Sequence, residues 1–248
     1  MISKAKIKEI RALAIKKFRD ERNLFVAEGN KLVTELLPVF NCEWLTAYPR
    51  WMASQGDISA RELIQAEDDD IRKLSFLTTP QDVLAVFRKP EYVLEEADPA
   101  SQLILMLDGI QDPGNLGTII RLACWFGLEH VVCSHDTADV FGPKAVQATM
   151  GALAQVKVYY TDLEHYLLKH KSAPVYGTFL DGESIYQRKL SQNGMVVMGN
   201  EGNGIRPEIE RLITERLFIP PYPPERTPTE SLNVAMATAI VCAEFRRQ

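Results

Sequence analysis

Apolar side chains at Ile7, Ile10, Leu13, Ala14 and Phe18 recur at helical spacing, which predicts a helix over 4–19. "LFVAEG" at 24–29 then reads as a short strand closed by a turn, and "KLVTELL" at 31–37 as a helix. "CEWLTA" at 42–47 and "DVLAVFRK" at 82–89 read as strands. Between them, "DDDIRKLS" at 68–75 reads as a helix whose acids sit on its N-terminal turn, where the dipole favours them. The acidic, proline-bounded stretch "PEYVLEEADPAS" at 90–101 reads as a linker. Beyond it, strand patterns at 102–107, 130–133, 156–160, 174–178, 195–198 and 216–219 alternate with helical patterns at 116–127, 143–152, 162–170, 206–212 and 231–246. Such alternation implies an α/β fold: a mostly parallel sheet covered by helices on both faces. A small α/β domain over 1–96 would precede it, with the larger domain at 97–248.

Composition supports this picture. A chain of 248 residues, 46% of them hydrophobic, has room for two cores. No apolar run is long enough to cross a membrane, and the N-terminus lacks the continuous apolar segment of a secretory signal. Cys42, Cys124, Cys133 and Cys242 form no CxxC pair and sit in apolar company, as reduced, buried thiols of a cytoplasmic protein would. The four histidines are dispersed. His165 and His170 miss the i,i+4 spacing of a helical metal pair, so no metal is expected. Trp44, Trp51 and Trp125 read as core residues. A net charge of −5 argues against a nucleic-acid partner, but its distribution does not. Residues 1–22 hold eight Lys/Arg against three acids, a local +5 that leaves −10 for the rest. Charge alone does not distinguish an electrostatic handle from a solvated helix face.

Three loops follow predicted strands, where ligands bind in parallel sheets. "LDGIQDPGNLGTIIR" at 107–121 matches neither GxGxxG nor a P-loop, yet places Asn115 and Arg121 around a polar turn at a helix start. An arginine there suits a phosphate or carboxylate, although an isolated loop of this kind would more simply be a cap. "VVMGNEGNGIRPEI" at 196–209 puts three glycines in six positions, with Glu201 the sole acid among them. "LFIPPYPPERTPTESLNVAMATAI" at 217–240 leads through prolines to Ser231, a plausible N-cap, and to Asn233, which would lie in the first turn of an apolar helix.

In combination, "DPGNLGTIIR", "GNEGNG" and "ESLNVAMATAI" resemble the three motifs of the SpoU (TrmH-like) family of SPOUT RNA methyltransferases. "KIKEIRALAIKKFRDERNLFVAEGNKLVTELL" resembles the substrate-binding extension of many members. The resemblance implies a C-terminal trefoil knot made by the second and third motif loops. It also implies a homodimer through that region. The implied reaction is transfer of a methyl group from S-adenosylmethionine to a ribose 2′-hydroxyl of tRNA or rRNA. On the matching positions it assigns Asn115 and Arg121 to the RNA site, Glu201 as the second-motif carboxylate, and Ser231 and Asn233 to the target ribose. Gly199, Ile219 and Leu232 would border the cofactor. RNA contacts would concentrate on residues 1–96, Arg121, Lys144 and the Arg206 region. The segment "PYPPERTPT" departs from the short glycine-containing loop of relatives. An RNA-binding or ribosome-assembly factor without turnover is the main alternative. A dinucleotide oxidoreductase lacks its glycine fingerprint, and the motifs match the ribose-methylating rather than a base-methylating branch.

Overall fold

The computed structural model describes residues 2–223 and 231–247. In chain order the elements begin α1 (Lys4–Ala12), α2 (Lys16–Arg22), β1 (Leu24–Glu28), α3 (Asn30–Leu36), β2 (Cys42–Ala47), α4 (Pro49–Ser54), β3 (Leu63–Gln65), α5 (Asp68–Leu74) and β4 (Val83–Arg88). They continue with β5 (Leu103–Asp108), α6 (Pro113–Trp125), β6 (His130–Ser134), α7 (Pro143–Thr149), β7 (Lys157–Thr161), α8 (Leu163–Lys169), β8 (Val175–Phe179), β9 (Glu183–Ser184), β10 (Gly194–Gly199), α9 (Pro207–Glu210), β11 (Glu215–Phe218) and α10 (Val234–Arg247). Two compact units result. One contains Met1–Glu91 with Asp139–Ala154, the other Tyr92–Ala138 with Gln155–Gln248.

The first unit is built on a four-stranded sheet of order β1-β4-β2-β3, antiparallel except for β2 and β3. The helix expected over 4–19 is two helices, broken at Leu13–Ile15. Arg19 accounts for the break. Its buried guanidinium donates to the Leu13 and Ala14 carbonyls at 2.7 and 2.8 Å, satisfying acceptors that a continuous helix would have used. The same group forms a paired contact with Asp139 at 2.7 and 3.0 Å. Asp139 opens the segment that leads into α7. Phe141, next in that segment, packs its ring 5.0 Å from Phe25. Residues 139–154 are thereby folded into the first unit, although they lie between β6 and β7 in the chain. Trp44 and Trp51 fill this core, as expected. The short elements α4 and β3 carry no strong periodicity and add to the predicted set.

The second unit carries a seven-stranded parallel sheet of order β7-β6-β5-β10-β8-β11-β9. Its central strands are apolar runs, with polar residues only at the ends of β5 and β6, and are buried on both faces, as parallel sheets between helices require. The chain runs outward from β5 through β6 to β7, then crosses to β8 and returns to insert β10 beside β5. The strand order therefore reverses between β5 and β10, where a crevice opens at the carboxyl ends. The helix after β5 starts at Pro113 rather than 116. Asp112 caps it, accepting from the Asn115 N–H at 2.8 Å, and Pro113 supplies the fixed φ of the first turn.

The C-terminal helix likewise begins at Val234, and its cap is Asn233 rather than Ser231. The Asn233 Oδ1 accepts from the Ala235 and Met236 N–H groups at 3.0 and 3.4 Å. Asn233 thus ends the loop instead of sitting inside the helix. Trp125, read as a core residue, is 83% exposed, on the outer side of the helix that packs against α10. Cys42 and Cys242 are buried, and burial pushes both thiols up to about 12. Among the described residues no helix is long and apolar enough to cross a membrane.

Candidate active site at the carboxyl ends of the central strands

The crevice between β5 and β10 is closed from three sides by loops of the second unit. On the first, Asp108 ends β5 and Gly109 turns the chain at φ +71°, with its N–H donated to Ser134 Oγ at 2.9 Å. The turn brings the Gln111 N–H to 3.5 Å from Glu201 Oε2 and sets Asn115 on the first turn of α6.

The second loop leaves β10 at Gly199 and closes on itself. Asn200 and Gly204 exchange backbone hydrogen bonds at 2.9 and 3.0 Å. Gly199 is required there, since a Cβ would stand 2.3 Å from the Gly204 carbonyl carbon. The Asn200 side chain fills the loop. Its Oδ1 accepts from Gly202 N–H (2.9 Å) and Asn203 N–H (3.0 Å), and its Nδ2 donates to the Gly109 carbonyl (2.6 Å). Glu201 projects from the tip.

The third loop ends at Asn233. Its Nδ2 donates to Asn115 Oδ1 at 3.1 Å, and Asn115 Nδ2 donates to Glu201 Oε1 at 3.0 Å. Asn115 thereby joins all three loops through one amide. The direction of both bonds is fixed, because Asn233 Oδ1 is already engaged by the helix N–H groups. Glu201 is therefore the acceptor.

Of the residues singled out in the sequence, Asn115, Glu201 and Asn233 meet directly. Arg121 lies six residues beyond Asn115 on α6, about 9 Å further along the helix axis. It is exposed and has no carboxylate partner among the described residues. Ser231 and Leu232 are exposed just before Asn233. Gly199 and Ile219 stand at the ends of β10 and β11, with β8 between them. Most of the proline-rich loop, residues 224–230, lies outside the described residues.

Arg206, in the region the sequence assigned to RNA contacts, is engaged within the protein. Its guanidinium binds Asp108 through Nε at 2.7 Å and Nη2 at 2.5 Å, and stands 3.7 Å from Asp136 and 3.8 Å from Glu208. Its side chain keeps 40% exposure while making these contacts. The Asp108 hydrogen bonds raise its pKa further. Asp136 is held below the usual carboxylate range by a Ser134 hydrogen bond and by the Arg206 charge. Asp108, Asn200 and Gln111 were not singled out in the sequence as site residues. The one available signal was an aspartate ending an otherwise apolar buried strand.

Residues 102–243 match the SpoU rRNA methylase family, and residues 4–85 match the MRM3-like substrate-binding domain. The chain belongs to the SpoU rRNA methylase family. It is 34% identical over 246 residues to the 23S rRNA (guanosine(2553)-2′-O)-methyltransferase RlmP of Bacillus subtilis, covering 97% of this chain and 96% of that one. Among solved structures, a TrmH-family protein from Porphyromonas gingivalis is 42% identical with a TM-score of 0.88, over 100% of this chain and 99% of that one. An AdoMet-bound rRNA methyltransferase from Sinorhizobium meliloti is 30% identical with a TM-score of 0.86, over 100% and 96%. Among the described residues no group of three or more His, Cys, Asp or Glu could hold a metal ion.

Proposed function

We propose that the protein transfers a methyl group from S-adenosylmethionine to a ribose 2′-hydroxyl of ribosomal RNA. The observation that carries this reading is the Asn233–Asn115–Glu201 chain, which unites the three family motifs at the strand-order reversal. The residues present suit the cofactor. Gly199 and Ile219 offer backbone groups at the ends of β10 and β11, while Leu180 after β8 and Leu232 expose apolar side chains for a flat ring. Bound S-adenosylmethionine supplies an already activated sulfonium methyl, so the protein's task is alignment and charge. Alignment of near-attack geometry is worth roughly 7–11 kcal/mol. Arg121, exposed and unpaired among the described residues, is suited to the alkoxide that develops at the ribose oxygen or to the neighbouring phosphate. A guanidinium stays protonated, so its role is electrostatic. Glu201 and Asn233 hold the Asn115 amide in one orientation. Ser231 is assigned to the same ribose.

Residues 1–96 are assigned to RNA binding and 97–248 to catalysis, in keeping with the substrate-binding family match at 4–85. The second- and third-motif loops, near 199–206 and 219–233, are inferred to form a trefoil knot. Trp125 and Met236, 83% and 61% exposed on the packed helices α6 and α10, support a homodimer through this face. Free thiols and the bacterial rRNA-modifying relatives support a cytoplasmic location. The test is transfer of tritiated methyl to ribosomal RNA from a strain lacking the gene, followed by mapping of 2′-O-methylation against the parent strain. Cofactor binding without transfer would favour an assembly factor instead.

A further inference from the structure

Both partners of the Glu201–Asn115 contact are anchored to the same two residues, Asp108 and Gly109. On one side, Gly109 leads through Gln111, whose N–H faces Glu201, to the Asp112 cap that seats Asn115. On the other, the loop bearing Glu201 is tied down at its start and its end. The Asn200 amide reaches the Gly109 carbonyl, and Arg206 closes on Asp108. Asp108 has a side chain with 0% exposure, and it accepts the Arg206 N–H at 2.8 Å as well as two guanidinium bonds. Backbone and side chain of one residue are thus captured by a single buried carboxylate. Four residues separate Arg206 from Glu201, too few for the loop to shift once both ends are held.

We propose that Asp108 and Arg206 are positioning residues of the methyltransferase: their ion pair fixes the loop that carries Glu201, and through Glu201 the Asn115 amide. This rests on the functional reading above, so one arm of the test is independent of activity. Hydrogen exchange reads the loop directly. The Gly202, Asn203, Gly204 and Arg206 N–H groups are all bonded, and Arg206→Gln is expected to deprotect them while β5 and β10 keep their protection. Unchanged exchange across 200–206 overturns the proposal whether or not the protein transfers methyl groups.

The kinetic arm uses the full chain, tritiated S-adenosylmethionine and ribosomal RNA from the gene-deletion strain. Arg206→Gln should lower kcat about 10-fold or more, with both KM values changed less than about threefold, the mark of a group acting on the transition state. Arg206→Lys, which restores the charge, should recover part of the loss. In a Glu201→Ala background, Arg206→Gln should cost less than about twofold more, because residues acting through one another are not additive. Multiplicative losses in that double variant would overturn the proposal. So would a raised KM for RNA with a shallower salt dependence and unchanged kcat, the signature of a direct phosphate contact. Asp108→Asn provides the reciprocal variant, and thermal melts of each confirm a folded protein.

Discussion

At the amino ends of the parallel strands, polar groups are paired off among themselves. Lys157 meets Glu96, the Asn193 amide donates to the Ala100 carbonyl at 2.8 Å, and His130 shares a 2.9 Å hydrogen bond with Tyr159. At the carboxyl ends, the loop at 199–206 is equally well satisfied, but the tip of Glu201 remains exposed, as does Arg121 further along α6. One sheet therefore has a closed end and an end where cross-linked loops hold a few groups ready for something else. The contrast teaches where to expect separable effects. Substitutions of the exposed groups should change rate without stability, and substitutions at the closed end should do the reverse.

The sharpest test is Arg121→Ala. Removing an electrostatic stabiliser from a developing oxyanion costs about 10²–10³-fold in turnover. A surface substitution changes stability by only about 0.5 kcal/mol. Methyl-transfer assays beside thermal melts should show that split. A variant that melts markedly earlier would mean Arg121 is part of the scaffold, and the contrast would fail on its most exposed member.

Gly199→Ala probes the loop itself. The added methyl would lie 2.3 Å from the Gly204 carbonyl carbon and 2.4 Å from the Ile205 nitrogen, both backbone atoms that cannot swing aside. Overpacking of this kind costs roughly 1–3 kcal/mol, occasionally more. Denaturant melts should register that loss together with weakened stabilisation by S-adenosylmethionine. Unchanged melting would show that the loop is looser than its hydrogen bonds imply.

Much of the second unit was legible in the sequence because buried parallel strands are continuous apolar runs and because three odd loops followed them. Asn115, Glu201 and Asn233 stood out by type: each is polar where a plain turn or an apolar helix needed nothing of the kind. Their mutual contact was not legible, since residues separated by 86 and 118 positions meet only through strand order. The cap of α10 was misplaced for a local reason, as Ser231 and Asn233 are both good caps and only the geometry chooses. That Arg206 is held by Asp108 was not legible, because charge is visible in a sequence while a buried partner is not. Residues 139–154 carry a helical pattern that any α/β unit would accept. Their capture by the first unit depends on Arg19 and Phe25, side chains more than 100 residues earlier in the chain.

A smaller effect is expected within the linked amides. In a double-mutant cycle of Asn115→Ala and Asn233→Ala, contacting residues in one network should show a coupling of about 0.5–3 kcal/mol in transition-state free energy. Asn233→Asp is the informative companion. It keeps the helix cap but loses the donor to Asn115, so stability should hold while kcat falls. Equal activity in that variant would detach the cap from the site.

The smallest effect should come from the closed end, and it should be confined to stability. Burial lowers the pKa of His130 from its ordinary value of 6.5, and the Lys157 charge adds to this. The folded chain therefore resists a proton that the unfolded chain accepts. The stabilisation is fully present above pH 6.5 and is lost as pH falls from there through the depressed folded value. His170, lowered chiefly by burial, contributes with the same sign, whereas Glu28, raised by burial, contributes with the opposite sign from its lower starting point. His130→Gln should flatten the fall in melting temperature between about pH 7 and 5, where histidine titrates, and His130→Gln/His170→Gln should flatten it further. Affinity for S-adenosylmethionine, measured on folded protein over the same window, should be the same with and without His130. If it were not, the two ends of the sheet would be coupled, and the division between a closed end and a reactive end would have to be abandoned.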